Sequence, residues 1–188
     1  MCSSDLGDGD PVAMDELFAT VATSLGVPVW VGEYGYFGRD DGTVTWPRAI
    51  AADMDKRVWG GAWWQWRQAC GDPHSIGYDG AKPGDQVHFQ RNGCPGDVTG
   101  GVVREWACAS RAYPLRSPGR ITALSSDCTS GVMTVSGSTA RRGTIVVWYP
   151  GSTKPAASVD GARLARVRGG WIATAPVAGD YTVTLRRP

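Results

Sequence analysis

The stretch Val29-Trp30-Val31-Gly32-Glu33-Tyr34-Gly35 is a short apolar run that ends in a carboxylate and an aromatic side chain. Its apolar residues do not alternate with polar ones, which is typical of a strand buried on both faces of a parallel sheet. Glu33 stands at the carboxyl end of this predicted strand, and a polar loop follows over residues 38–45. The stretch therefore predicts an α/β fold with a carboxylate at one edge of the sheet.

Helical patterns flank this strand on both sides. Asp10-Pro11 favours a helix start, and Gly26 with Pro28 beyond it favours the helix end. Between them, apolar residues recur at helical spacing and give the helix one apolar face. These residues are Met14, Leu17, Phe18, Val21 and Leu25. A second helix is predicted to begin at Pro47, and a second buried strand is predicted over residues 59–66. The order helix, strand, helix, strand indicates a parallel α/β arrangement.

The last third of the chain has a different pattern. Short β-rich runs separated by Gly and Pro turns occupy residues 133–135, 144–149, 163–167, 171–175 and 181–185. Gly169-Gly170 lies between two of them, as a two-residue hairpin turn would. We expect a small antiparallel β-sandwich over residues 118–188, after a long loop over 67–101 and one more helix over 102–112.

Glu33 is the residue most suited to chemistry. In parallel α/β barrels, catalytic side chains come from the carboxyl ends of the strands. Glycoside hydrolysis needs two carboxyl groups, and aromatic neighbours such as Trp30 and Tyr36 can form a wall that binds a sugar. The alternative is a carboxylate at the sheet rim paired with a nearby arginine, such as Arg39 or Arg67.

Two motifs resemble those of glycoside hydrolase family 5, the cellulase-like clan of (β/α)8 barrels. Residues 28–35 (PVWVGEYG) are similar to that family's seventh-strand motif, and residues 62–66 (AWWQW) resemble its eighth-strand motif. Their order fits, as does the helix between them, and a β-sandwich follows the barrel in the family's endoglycoceramidase-like members. The resemblance implies a fold class of α/β plus all-β: the last two βα units of a (β/α)8 TIM barrel followed by a small antiparallel β-sandwich.

The resemblance also assigns roles to residues. It makes Glu33 the nucleophile of a retaining glycosidase, and it makes Trp64 the floor of the sugar subsite beside the cleaved bond. Trp66 lies two residues further along the same strand face, so we include it in the candidate substrate-binding set. That set is completed by Tyr36 and Trp30. No cofactor is implied, and the expected partner is a carbohydrate or glycolipid substrate.

One part of the family pattern is absent. The acid/base glutamate of that family lies in an Asn-Glu-Pro motif, and no Asn-Glu-Pro occurs in this sequence. Residues 2–6 also resemble the translation of a sequencing adaptor, which predicts an assembly scar over residues 1–6. We therefore expect residues 7–117 to be the C-terminal part of a glycosidase barrel, and the chain to be a fragment that is inactive alone.

Cysteine positions bear on the compartment. Cys70 and Cys94 bracket a loop rich in Gly, Pro and Asp, and we predict a disulfide between them. Cys108 and Cys128 are a second candidate pair. Disulfides persist in oxidising compartments, so the parent protein is predicted to be secreted or extracellular.

Composition argues against several other classes of function. The 19 basic residues nearly balance the 18 acidic ones, which disfavours nucleic acid or an anionic membrane surface as a partner. No apolar stretch reaches the roughly 20 residues of a transmembrane segment. His74 and His88 are the only histidines, and no metal site is expected from them. The oligomeric state stays open.

Two alternatives to hydrolysis remain. The β-rich part could be a non-catalytic carbohydrate-binding module that uses Trp148, Tyr149 or Trp171, since many β-sandwiches bind sugars. The chain could also be a purely structural or interaction protein. Within the hydrolase hypothesis, the substrate remains open between cellulose-like glucan, mannan and a glycolipid headgroup, and the β-sandwich favours the glycolipid only by analogy of fold.

Overall fold

A computed structural model of the chain describes residues 13–34, 45–63, 77–78, 101–102 and 106–188. Residues cluster into two compact units. The first comprises residues 1–53 and 59–109, and the second comprises residues 54–58 and 110–188. Most of the described secondary structure is antiparallel sheet, with few helices.

Helix α1 spans Ala13–Leu25 and ends where the sequence predicts, at Gly26, whose φ of 63° is readily adopted only by glycine. Its predicted apolar face is exposed, with Phe18 at 43% and Leu25 at 67% of their full accessibility. Asp15 is instead buried, and the half-buried Ala19 and Ala22 follow it at helical spacing. The helix thus packs through its small side chains and presents its larger apolar ones to solvent.

A strand, a helix and a second strand follow α1 in the order that the sequence predicts. Strand β1 spans Trp30–Tyr34, helix α2 spans Thr45–Arg57, and strand β2 spans Gly60–Trp63. The two strands pair in parallel, which confirms the parallel arrangement inferred from the sequence. Ile50 and Met54 of α2 are buried, as their spacing indicates.

Three short elements follow. Strand β3 spans Gly77–Tyr78 and pairs antiparallel with β4, Gly101–Val102. Helix α3 covers only Trp106–Ala109. The prediction of one helix over residues 102–112 is wrong at both ends, because Val102 lies in β4 and the chain turns at Ser110 before the next strand. Pro114, which lacks an N–H, stops helix propagation and lies in that strand instead.

Six strands form one antiparallel sheet in the second unit. They are β5 (Tyr113–Arg116), β6 (Arg120–Ser126), β7 (Met133–Pro150), β8 (Ala156–Ala157), β9 (Arg163–Val167) and β10 (Gly170–Arg186). Strands β7 and β10 are long and pair along almost their whole length. The sequence indicates each of them as two separate short runs, and it does not indicate β5, β6 or β8.

The long β7–β10 ribbon has two halves with different neighbours. In one half, the β7 segment from Met133 pairs with β6 and the end of β10 pairs with β8. In the other half, the end of β7 pairs with β5 and the start of β10 pairs with β9. The pairing register shifts between Val177 and Gly179, where the two halves meet. Each half is therefore four strands wide.

Alternating side chains from both halves form one hydrophobic core. Met133 and Val135 come from one half, Ile145 and Val147 come from the other, and all four are at most 1% exposed. They belong to the same cluster of buried residues. Because a strand directs successive side chains to opposite faces, one face of each half-sheet contributes to this core.

The second unit also contains a buried ion pair. Asp55 is 3% exposed, and its carboxylate accepts hydrogen bonds from Arg111 Nη2 at 2.7 Å and from Arg111 Nε at 3.2 Å. It also accepts a hydrogen bond of 2.7 Å from the backbone N–H of Ser126. These contacts join residues that are 56 and 71 positions apart in the sequence.

The β9–β10 hairpin differs by one residue from the prediction. Val167 pairs with Gly170, so the two-residue turn is Arg168-Gly169 and not Gly169-Gly170. Gly169 has a φ of 82°, which the turn requires. Gly170 is needed in the strand, since a Cβ there would lie 2.3 Å from the carbonyl oxygen of Tyr149.

Candidate functional site

The candidate site is built on the carboxyl ends of β1 and β2. Glu33 is the fourth of the five residues of β1, and Trp63 is the last residue of β2. Because the two strands are parallel, their carboxyl ends meet at the same edge. In α/β folds this edge is where binding and catalytic groups are found.

The pairing of β1 with β2 is irregular at Glu33. Val31 is paired with Gly61, and Tyr34 is paired with Trp63. Two residues of β1, Gly32 and Glu33, therefore lie opposite one residue of β2. Such a bulge bends a strand and redirects a side chain, and bulges are over-represented beside active sites. The side chain of Glu33 itself lies outside the described residues.

An aromatic pair follows the bulge. The rings of Tyr34 and Trp63 meet edge to face, with their centroids 5.4 Å apart and an interplanar angle of 78°. Tyr34 is only 6% exposed. Edge-to-face aromatic pairs contribute about 0.5–1.5 kcal/mol beyond their buried area. The pair fixes the backbone immediately after Glu33 and assigns Trp63 to packing.

Trp30 is held against the neighbouring strand. It is directly paired with Gly60, and a Cβ at Gly60 would lie 2.4 Å from two atoms of the Trp30 six-membered ring. The indole thus covers the Gly60 backbone, which requires the absence of a side chain there. Trp30 is nevertheless 67% exposed, so most of its surface is open to a ligand.

The remaining predicted site residues lie outside the described residues. They are the aromatic residues Tyr36, Trp64 and Trp66 and the predicted disulfide partners Cys70 and Cys94. Their assignments therefore stay predictions.

A disulfide is present elsewhere in the chain. Cys108 and Cys128, the second candidate pair, are both disulfide-bonded. Both are buried, at 1% and 8% exposure. Buried disulfides are typical of structural rather than reactive cysteines.

The aromatic candidates of the β-rich part have different environments. Tyr149 is 2% exposed and donates a hydrogen bond of 2.6 Å from its hydroxyl to the carbonyl oxygen of Gly131. It is a core residue, so it cannot serve as a sugar platform. Trp171 is half-buried. The guanidinium group of Arg166 lies 5.4 Å from the centroid of the Trp171 ring and covers part of it.

One titratable side chain in the sheet has a shifted pKa. Burial raises the pKa of the Tyr149 hydroxyl above its usual 10.0, while the charge of Arg187 and a hydrogen bond from it act in the opposite direction. Burial has the larger effect because it disfavours the charged phenolate. Tyr149 is thus a neutral hydrogen-bond donor at physiological pH.

No group of three or more His, Cys, Asp or Glu side chains within the described ranges could hold a metal ion. Among the helices that the structure describes, none has the length and hydropathy needed to cross a membrane.

Comparisons with known proteins place this arrangement among glycosidase structures. No protein-family model matches the chain, and no curated protein matches it either. Among solved structures, the chain resembles an endogalactoceramidase with a TM-score of 0.68 and 33% sequence identity. The match covers 95% of this chain and 38% of the endogalactoceramidase, so this chain spans well under half of that protein's length.

Two further structures share the fold at lower identity. Endo-glycoceramidase II from Rhodococcus sp. gives a TM-score of 0.63 at 18% identity over 94% of this chain and 38% of its own. Structures of that enzyme include a lactosyl-enzyme intermediate and a complex with ganglioside GM3. Sterylglucosidase 1 from Cryptococcus neoformans gives a TM-score of 0.57 at 14% identity over 92% of this chain and 31% of its own. The structural neighbours of the chain are therefore glycosidases, and the matched region is a minor part of each.

Proposed function

We propose that this chain is part of a retaining glycoside hydrolase that cleaves the sugar from a glycolipid, with Glu33 as the catalytic nucleophile. The active enzyme would be a longer polypeptide that also supplies an acid/base carboxyl group. In this proposal, residues 7–117 form the last two βα units of a (β/α)8 barrel. Residues 118–188 form a β-sandwich, and residues 1–6 are not part of the natural protein.

The observation that carries the proposal is the bulge at Gly32–Glu33. It lies at the carboxyl end of a parallel strand, where catalytic side chains of α/β barrels are found. A structural carboxylate at a sheet rim would need no interruption of the ladder. An interrupted ladder at Gly32 and Glu33, within the sequence motif, supports a role in which the Glu33 side chain must be directed to a particular point.

The similar structures support a glycolipid over a glucan or mannan. The relative that is 33% identical is an endogalactoceramidase, whose name describes action on a galactosylated ceramide. The Rhodococcus enzyme, which shares the fold, forms a lactosyl-enzyme intermediate. A covalent glycosyl intermediate is the signature of a retaining mechanism, and such a mechanism needs a nucleophile of the kind proposed for Glu33.

The remaining candidate residues would bind the sugar. Trp64, Trp66 and Tyr36 are proposed to face the same edge as Glu33. Trp30 would contribute its exposed indole to the outer part of the site. Aromatic faces suit sugars because they pack against the apolar face of the ring while the hydroxyl groups stay hydrogen-bonded elsewhere.

The reaction would proceed in two displacements. A Glu33 carboxylate oxygen attacks the anomeric carbon and forms a glycosyl ester, the glycosidic C–O bond breaks, and the acid/base group protonates the departing oxygen. That group then takes a proton from water, which attacks the anomeric carbon and releases Glu33. The two carboxyl groups must be about 5–5.5 Å apart. Because this sequence has no Asn-Glu-Pro motif, the chain alone is proposed to be inactive.

The cysteines bear on the compartment of the parent protein. A disulfide at Cys108 and Cys128 fits an oxidising environment, as does the predicted pair Cys70 and Cys94. We propose that the parent protein is secreted.

The test replaces Glu33 by Gln in the longer polypeptide that contains an Asn-Glu-Pro segment. Hydrolysis of an aryl β-glycoside is expected to fall by about 10⁴-fold or more, since removing a covalent nucleophile has effects of this order. The matched control is Glu16→Gln, on an exposed position of α1, which should retain activity. Near wild-type hydrolysis by the Glu33 variant would show that the assignment is wrong.

A further inference from the structure

The near-neutral net charge of the chain hides two halves of opposite sign. Residues 110–188 contain 11 Lys and Arg against 3 Asp and no Glu, a net charge of +8. Residues 1–109 contain 8 basic and 15 acidic residues, a net charge of −7. The balance that argues against an anionic partner therefore holds only for the whole chain. The six-stranded sheet belongs to the strongly basic half.

Two arginines lie in one row across the sheet. Arg116 of β5 is paired with Val146 of β7, Val146 with Thr174 of β10, and Thr174 with Arg163 of β9. Residues directly opposite each other in a sheet project to the same face. Arg116 and Arg163 are both exposed. One face of this half-sheet thus carries a positive charge at each edge strand.

The adjacent row on the same face is apolar and aromatic. It runs from Tyr113 through Trp148 and Ile172 to Ala165, and each neighbouring pair is in register. These residues alternate with the buried core residues of β7 and β10, so they project away from the core. Tyr113 is 46% exposed. Val167 lies two residues beyond Ala165 in β9, on the same face, and is 37% exposed.

The indole of Trp148 lies close to the two glycines of the β9–β10 hairpin. A Cβ at Gly170 would lie 2.7 Å from the outermost ring atom of Trp148, and a Cβ at Gly169 would lie 3.6 Å from it. The indole therefore extends over Gly169 and Gly170 at the end of the β9–β10 hairpin. The absence of a Cβ at these two positions leaves room for the ring.

We propose that this surface docks the protein on an anionic lipid bilayer. We call it the basic–aromatic face and define it by Tyr113, Arg116, Trp148, Arg163 and Val167. Its four-strand rows contain no Asp or Glu, so an anionic surface meets only attraction there. The proposal is independent of the role of Glu33, although docking on a bilayer would bring a glycolipid hydrolase to the surface in which its substrate lies.

The combination of residues favours a lipid surface over nucleic acid. Arginines attract anionic headgroups, while Trp and Tyr are the side chains that settle at a membrane interface because they are apolar at one end and polar at the other. A duplex would pair with the arginines but would leave the exposed tyrosine and valine without an apolar partner. A lipid interface satisfies both kinds of side chain.

The test measures sedimentation of the full chain with vesicles that contain no glycolipid. Vesicles of phosphatidylcholine with about one third phosphatidylserine are expected to bind the chain, and pure phosphatidylcholine is expected to bind it far more weakly. Each arginine near an anionic surface contributes about fivefold in affinity, so the Arg116→Gln/Arg163→Gln double variant should bind about 30-fold more weakly. Raising the salt concentration should weaken binding of the wild type.

The control is Arg120→Gln/Arg186→Gln, which removes the same charge from exposed positions in the other half of the sheet. This variant should lose no more than about threefold in binding affinity, because charges outside the docked face are screened. Tyr113→Ser should weaken binding by a similar factor at low and high salt, as an apolar contact does. Equal losses in the two double variants, or no binding to the anionic vesicles, would overturn the proposal. A tighter complex with a short DNA duplex, lost in the Arg116→Gln/Arg163→Gln variant, would assign the face to nucleic acid and overturn it as well.

Discussion

Replacing Asp55 by Asn should be among the most destabilising single changes in the second unit. The substitution keeps the side-chain volume but removes the charge opposite Arg111, whose side chain is only 11% exposed. It also replaces one carboxylate oxygen by an amide nitrogen, which cannot accept the 2.7 Å hydrogen bond from the Ser126 N–H. Loss of this buried pairing of opposite charges is the main source of the expected loss.

The magnitude follows from the burial of both partners. Removing one member of a buried ion pair typically costs about 3–5 kcal/mol, against about 0–1 kcal/mol for an exposed pair. Asp55 and Arg111 form a buried ion pair, because their side chains are only 4% and 11% exposed. For a chain of this length, each kcal/mol lowers Tm by about 2–4 °C, so the expected fall is about 6–20 °C.

Urea unfolding followed by circular dichroism of the β-sheet signal is the appropriate assay. The midpoint should fall with little change in slope, because the surface exposed on unfolding is nearly the same. The matched control is Asp180→Asn, an exposed carboxylate of the same unit, which should change stability by less than about 0.5 kcal/mol.

A double variant separates lost charge from lost packing. If Arg111→Met is combined with Asp55→Ala, much of the loss should be recovered, since apolar residues often replace a buried ion pair at little cost. A loss below about 1 kcal/mol for Asp55→Asn alone would refute the reasoning. A double variant as unstable as the sum of the single variants would refute it too.

Three further changes test the stability of the chain. Tyr149→Phe should lower the free energy of unfolding by about 1 kcal/mol below pH 10, because the hydrogen bond of the hydroxyl is lost. Since the pKa of Tyr149 in the folded protein is raised above 10.0, wild-type stability should also decline as pH rises from about 10 through that pKa. Urea titrations across this pH range should show that the variant lacks this part of the decline. Gly137→Ala places a Cβ 2.5 Å from a backbone carbonyl oxygen, so thermal unfolding should show that stability falls by about 1–3 kcal/mol. Ser138→Ala, next to it, should be nearly neutral. Equal effects of the two changes would contradict the packing argument. Reduction of the disulfide at Cys108 and Cys128 should cost about 3 kcal/mol in a calorimetric scan, and a Tm that is unchanged by reductant would show that it contributes nothing.

Local signals in the sequence predicted the local structure well. The end of α1 at Gly26 depends only on the glycine, which alone adopts the backbone conformation found there at no cost. The buried face of α2 follows from the spacing of Ile50 and Met54. The parallel pairing of β1 with β2 follows from two short apolar runs separated by a helix. In each case the information lies within a few residues.

Long-range pairing could not be predicted in the same way. β7 and β10 each continue through an exposed, polar stretch at the middle of the ribbon, where the alternation of buried and exposed residues is lost. The pairing with the partner strand is shifted there and continues on both sides of this stretch, and a side-chain pattern does not show such pairing. The pairing of Asp55 with Arg111 likewise depends on residues that only the fold brings together.

The candidate site also combines features that the sequence shows with features that depend on strand pairing. Glu33 and its position at the end of β1 are visible in the sequence, because the motif is contiguous. The bulge is not, since it arises from the register with β2. The exposed α1 residues, such as Leu25, also differ from expectation, because helical spacing shows that a face is apolar and does not show what covers it.

The most direct test of the central claim is to trap the proposed covalent intermediate. The longer polypeptide would be incubated with an activated 2-deoxy-2-fluoro β-glycoside, which forms the glycosyl ester but slows its hydrolysis, and then digested for mass spectrometry. The account predicts that the added sugar mass is found on the peptide that contains Glu33, and that Glu33→Gln abolishes the labelling. Labelling of a different carboxylate, with Glu33 unmodified, would contradict it.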